Sequence, residues 1–284
     1  MAFLAGVAAA FAAAALYSFG VTLQAMEARA TPGEQSLKLS LLRDLVTRRR
    51  WLGGTACVVG GWTMQTVALL LVPLTIVQPA LAMSVVGLLL IGLRMHDESL
   101  GRREVLGALG IVLGVAGLAL VSPGQSDSHG SHVTLAIGMT GLGVVALAPY
   151  FMAAKGRRPG LMVAFSAGLA YAWTGFSTKF LADGVSSGAW VVGAVWLAAT
   201  AGAACVGLLF EMTALQDRPA IRVFPVVLVV QIVVAVMLAP LLAGEGWSPD
   251  PLVLILLGLS LVALVTGTRA LCGARAVSRV VATE

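Results

Sequence analysis

The sequence predicts an all-α polytopic membrane protein with nine transmembrane helices, and three observations lead there. The 284 residues are 59% apolar and 11% charged, with a mean hydropathy of +0.96. Soluble domains are nearer roughly 45–50% apolar and about 25% charged. The apolar residues fall in long unbroken runs, and the Lys and Arg residues collect in alternate loops. Only lipid can cover that much apolar surface. The composition therefore excludes a water-soluble enzyme, a disordered chain and a nucleic-acid-binding domain.

A bilayer core is crossed by about 20 helical residues. Apolar runs of that order occupy residues 2–26, 51–72, 74–93, 104–122, 133–153, 161–181, 190–215, 220–243 and 251–271. A barrel would alternate apolar and polar residues, and these runs do not. Ala28-Arg29-Ala30 resembles a signal-peptide cleavage site, but Met1-Ala2-Phe3 carries no basic charge. The first run is therefore expected to be a retained span.

Basic residues orient the chain. Loop 27–50 holds Arg29, Lys38, Arg43, Arg48, Arg49 and Arg50, and the third-to-fourth connection holds Arg94, Arg102 and Arg103. Lys155, Arg157 and Arg158 follow the fifth span, Arg218 and Arg222 the seventh, and Arg269, Arg275 and Arg279 the ninth. Of the 18 Lys and Arg residues only Lys179, near the opposite end of the sixth span, departs from this side. The positive-inside rule then puts the N-terminus outside and the C-terminus in the cytoplasm of a multi-pass cell-membrane protein. The net charge of +5 is thus a topology signal. The Arg48-Arg49-Arg50 run is expected on anionic headgroups.

The two halves resemble each other. Shifted by 146, Gly61 meets Gly207, Ala68 meets Ala214, Leu69 meets Leu215, Pro73 meets Pro219, Val77 meets Val223 and Pro79 meets Pro225. The same shift sets Gln65 on Glu211, and one residue later Glu98 meets Glu245. Nearer the N-terminus a shift of 155 sets Gly20 on Gly175 and Gln24 on Lys179. Residues 1–122 then form a first repeat of spans one to four, and 123–160 a connector with span five. Residues 161–284 form a second repeat of spans six to nine with a cytoplasmic tail. An offset of five spans inverts one repeat relative to the other. Inverted repeats build many secondary transporters, with the substrate site at the repeat interface near the midplane.

Pro73 to Pro79, the third span, His96-Asp97-Glu98-Ser99-Leu100-Gly101-Arg102-Arg103-Glu104 and a glycine-rich fourth span follow in order. This series resembles the EamA-type repeat of the drug/metabolite transporter (DMT) superfamily. Nine spans, an outer N-terminus and Lys155-Gly156-Arg157-Arg158-Pro159-Gly160 look most like its NIPA branch, which is associated with magnesium transport. The resemblance covers nearly the whole chain. It implies alternating-access transport of a small polar solute or cation, Mg²⁺ being one alternative.

Intramembrane polar groups are functional candidates by default. Glu211, about five residues inside the cytoplasmic end of the seventh span, is a candidate proton or cation carrier, or else an ion-pair partner of Arg222. Gln65, Gln78, Gln24 and Gln231 bind a polar solute in a shared cavity or bridge helices. Tyr17, Tyr171 and Trp173 line the same cavity or pack at interfaces. Lys179 joins the pathway or snorkels to headgroups. Pro79 and Pro225 are candidate hinges.

Gly107, Gly110, Gly114 and Gly117 predict a close helix seam on the fourth span, within the chain or across a homodimer. The Ser126–His132 segment reads as a solvated outer loop rather than a metal site. Cys57, Cys205 and Cys272 fit no zinc or redox spacing. Walker A, GxSxG and HExxH motifs are missing, so neither catalysis nor a cofactor is expected. A non-transporting membrane subunit and a lipid-linked substrate flippase are the remaining alternatives.

Overall fold

The computed structural model describes residues 2–72, 74–96, 101–121, 132–154, 161–242 and 248–273. All regular structure among the described residues is helical: α1 (Ala2–Arg29), α2 (Leu39–Val46), α3 (Arg49–Leu71), α4 (Leu74–His96), α5 (Arg102–Val121), α6 (His132–Ala146), α7 (Ala148–Ala154), α8 (Met162–Ser186), α9 (Trp190–Asp217), α10 (Ala220–Leu242) and α11 (Pro251–Cys272). Five of these, α1, α5, α9, α10 and α11, are long and apolar enough to cross a bilayer. Val191, Leu252 and Leu120 are 80%, 74% and 70% exposed, so the helices turn large apolar side chains outward as well as inward. These features are compatible with a multi-pass membrane protein.

The helix ends follow local chemistry. Asp250 caps α11 by accepting from Leu252 N at 2.9 Å, with Pro251 at the first helical position. Gly188 turns the chain between α8 and α9 with φ of 74°. The single fifth span expected over 133–153 is instead two helices, α6 and α7, broken at Leu147. Pro149 sits in the first turn of α7. It has no N–H, and its ring would clash with the carbonyl four residues earlier, which ends α6. Pro225 and Pro240, by contrast, lie inside α10, which continues through both.

Packing repeats along the chain. In the first half α1 lies against α3 and α4, and α4 against α5. In the second half α8 lies against α9 and α10, and α10 against α11. The halves meet where α5 runs along α11 and α10 touches α4. Close seams need residues without side chains. A β-carbon on Gly54 would lie 2.8 Å from Gly20 O, and one on Gly107 would lie 2.8 Å from Gly267 O.

That second seam decides the role of the α5 glycines. Gly107 and Gly110 face Gly267, and Gly114 and Gly117 face Leu264 and Ser260. The glycine face is filled from within the chain by α11, so it is not free to form the homodimer seam that the spacing alone allowed.

Candidate functional site

Two tyrosines each bind a polar side chain of the neighbouring helix. Tyr17 on α1 donates its hydroxyl to Gln65 Oε1 on α3 at 2.9 Å. Tyr171 on α8 donates its hydroxyl to Glu211 Oε2 on α9 at 2.7 Å. In each case a glycine one helical turn before the acceptor makes room for the ring. A β-carbon on Gly61 would lie 3.2 Å from Tyr17 Cδ1, and one on Gly207 would lie 2.8 Å from Tyr171 Cε1. Residues four apart share a helix face, so Gly-x-x-x-Gln and Gly-x-x-x-Glu build the same docking notch twice.

The notches correct the alignment of the first helix of each half. Tyr17 corresponds to Tyr171, one residue away from the pairing of Gly20 with Gly175 and Gln24 with Lys179. Gln65 and Glu211, and Gly61 and Gly207, which the shift of 146 aligns, take the same places in the two notches.

Glu211 is 7% exposed and lies six residues from the end of α9. The partner it is given is Tyr171, on the neighbouring helix, and not the Arg222 that proximity along the chain suggested. The tyrosine pairs share one geometry and differ in the acceptor: an amide oxygen at Gln65, a carboxyl oxygen at Glu211.

Gln24 and Gln65 do not converge. Gln24, 5% exposed, donates from Nε2 to Thr55 Oγ1 at 3.0 Å and bridges α1 to α3. Thr55 and Gln65 are ten residues apart on α3, about 15 Å along its axis at 1.5 Å per residue, so Gln24 and Gln65 occupy separate levels. Gln231 is half-buried on α10. The side chains of Gln78, Pro79 and Lys179 lie outside the described residues, as do Asp97, Glu98 and residues 122–131. Trp173 turns toward α6, donating Nε1 to Met139 O at 3.0 Å, and its ring lies 6.3 Å from that of Trp196.

Sequence reasoning missed several buried polar groups. Ser18 Oγ donates to Ala14 O at 2.8 Å and to Ser84 O at 2.9 Å, tying α1 to α4. Glu104, 5% exposed in the first turn of α5, folds its carboxyl back beside Gly101. Acidic residues at that position satisfy a helix N-terminus, which was a readable signal. Thr213 and Gln216 on α9 bind the segment that follows α1. Leu37 N donates to Thr213 Oγ1 at 3.1 Å, and Gln216 Nε2 donates to Thr31 Oγ1 at 2.9 Å. Both are ordinary polar residues near a helix end, and nothing in the sequence singles them out.

Among the described residues there is no group of three or more His, Cys, Asp or Glu that could hold a metal ion. No protein-family model, curated protein or solved structure matches the chain.

Proposed function

We propose that the chain is a secondary transporter of the drug/metabolite transporter type, with nine spans in two inverted repeats, that moves a small polar solute or cation by alternating access. The observation that carries this reading is the repeated notch, Tyr17–Gly61–Gln65 in one half and Tyr171–Gly207–Glu211 in the other. The matching packing of α1, α3 and α4 with α8, α9 and α10 supports the same duplication. In this reading the basic loops face the cytoplasm. Gln65 then lies toward the outer surface and Glu211 toward the inner one, as an inverted repeat requires.

Glu211 is the group on which cation or proton coupling rests, because its counterpart is a neutral amide. Flux measured in proteoliposomes across pH tests it. Glu211→Gln is expected to abolish the pH dependence while leaving the fold intact, because the amide reproduces what Gln65 already does against Tyr17. A pH profile unchanged in that variant would overturn the coupling role. Mg²⁺ as cargo is tested in the same assay, since it commonly binds through one or two carboxylates and keeps several waters.

A further inference from the structure

We propose that residues 30–46 form a gate at the cytoplasmic end of the pathway, a strap that must leave α9 before the Glu211 end can open. This rests on the transport reading and its orientation. The strap links α1 to α3, so it belongs to the first repeat, yet its anchors are on α9 of the second. Leu37 N bonds Thr213 Oγ1 at 3.1 Å, and Gln216 Nε2 bonds Thr31 Oγ1 at 2.9 Å and Pro32 O at 3.2 Å. Just beyond the strap, Trp51 Nε1 meets Met212 Sδ at 3.3 Å. All four contacts fall on the turns of α9 that follow Glu211. Leu37, Leu41 and Leu45 are buried in one apolar cluster with Phe210, Met212 and Leu215.

Three features set the strap apart from an ordinary loop. Alternating access moves one repeat against the other. Contacts that join the repeats at one end therefore have to break when that end opens. The corresponding connection between α8 and α9 is residues 187–189, too short to reach across, so this connection of the second repeat carries no such strap. Finally, its central anchor holds Leu37 at φ of 59°, a left-handed conformation disfavoured for any residue with a β-carbon. Backbone strain held in place by a hydrogen bond and burial is suited to a contact that is made and released.

The test uses the full chain in proteoliposomes, with Cys57, Cys205 and Cys272 replaced by alanine. Ala214→Cys, buried in the same cluster, supplies a single reporter thiol. With Thr213→Val and Gln216→Leu removing the anchors, a membrane-impermeant maleimide on the cytoplasmic side should label it about tenfold faster, a factor in keeping with the loss of such hydrogen bonds. Thr31→Val removes one anchor from the strap side, leaves α9 untouched and is expected to act in the same direction. Amide hydrogen exchange over residues 30–46 reports whether the strap has been released. Released strap with unchanged labelling would overturn the gate. Solute flux is recorded on the same vesicles: its absence counts against the transport reading, while labelling alone judges the gate.

Discussion

The hydroxyl of Tyr171 meets Glu211 Oε2 at 2.7 Å, and its counterpart Tyr17 meets Gln65 Oε1 at 2.9 Å. One arrangement, made twice, binds a carboxyl in one half and an amide in the other.

The difference between carboxyl and amide makes the two tyrosines unequal. Tyr171→Phe removes a donor to a buried acid, a bond worth about 1.5–3 kcal/mol when the acceptor is ionised. Tyr17→Phe removes a neutral bond worth about 0.5–1.5 kcal/mol. Thermal unfolding in detergent should therefore show the larger loss for Tyr171→Phe. Equal losses would mean that Glu211 is not charged in the resting protein.

The notch glycines should be unequal in the same direction. A β-carbon on Gly207 would lie 2.8 Å from the Tyr171 ring, against 3.2 Å between Gly61 and the Tyr17 ring. Overpacking of this kind costs about 1–3 kcal/mol. Gly207→Ala is expected to lower the unfolding temperature more than Gly61→Ala, and to disturb flux by displacing the hydroxyl from Glu211.

The α5–α11 seam is less forgiving, because the neighbouring atoms are backbone. A β-carbon on Gly267 would lie 2.6 Å from Gly107 O and 2.9 Å from Ile111 N, and neither can rotate away. Gly267→Ala should force the helices apart and sharply reduce folded yield. Gly258 lies on the same helix with nothing within 4 Å of its would-be β-carbon. Gly258→Ala should be neutral or stabilising by up to about 1 kcal/mol, as in any open helix position. Size-exclusion profiles of the two variants provide the comparison.

The proposed inversion has a direct readout. Gly33, before the strap helix, and Ala189, between α8 and α9, are both exposed. In a background without native cysteines, Gly33→Cys should react with an impermeant maleimide only from the cytoplasmic side, and Ala189→Cys only from the outside. Labelling of both from one side would reject the orientation.

Arg48 and Glu27 form an ion pair at 3.1 Å with side chains 31% and 15% exposed. Pairs this open contribute about 0–1 kcal/mol. Arg48→Ala should therefore shift the unfolding temperature little, and the strap it borders should remain docked.

Much of the site was visible one residue at a time. Glu211, Gln65, Tyr17 and Tyr171 each stood out as polar groups in apolar runs, and the shift of 146 had already set Gln65 on Glu211. The register of the tyrosines was legible too: at a shift of 154 Gly6 meets Gly160, Ala10 meets Ala164, Phe11 meets Phe165, Ala13 meets Ala167 and Tyr17 meets Tyr171, whereas their hydrogen bonds to Gln65 and Glu211 join helices that no such shift relates. Gln24 looked equivalent to Gln65 in sequence, yet it bridges to Thr55 on another level of α3.

The sequence by itself determined the helical class, the place of most apolar helices and, within them, Glu211, Gln65, Tyr17 and Tyr171 as polar groups. Each of these is a property of one segment: a run of about 20 apolar residues must satisfy its own backbone in lipid and does so as a helix. The tertiary structure alone decided which helix face meets which. It closed the α5 glycines with α11, gave Glu211 to Tyr171, and laid the strap from the first half onto α9 of the second. A helix that is apolar all round has no stripe to mark its inner face. Its partners are chosen by close packing and hydrogen bonds between residues far apart in the chain, and hydropathy does not record them.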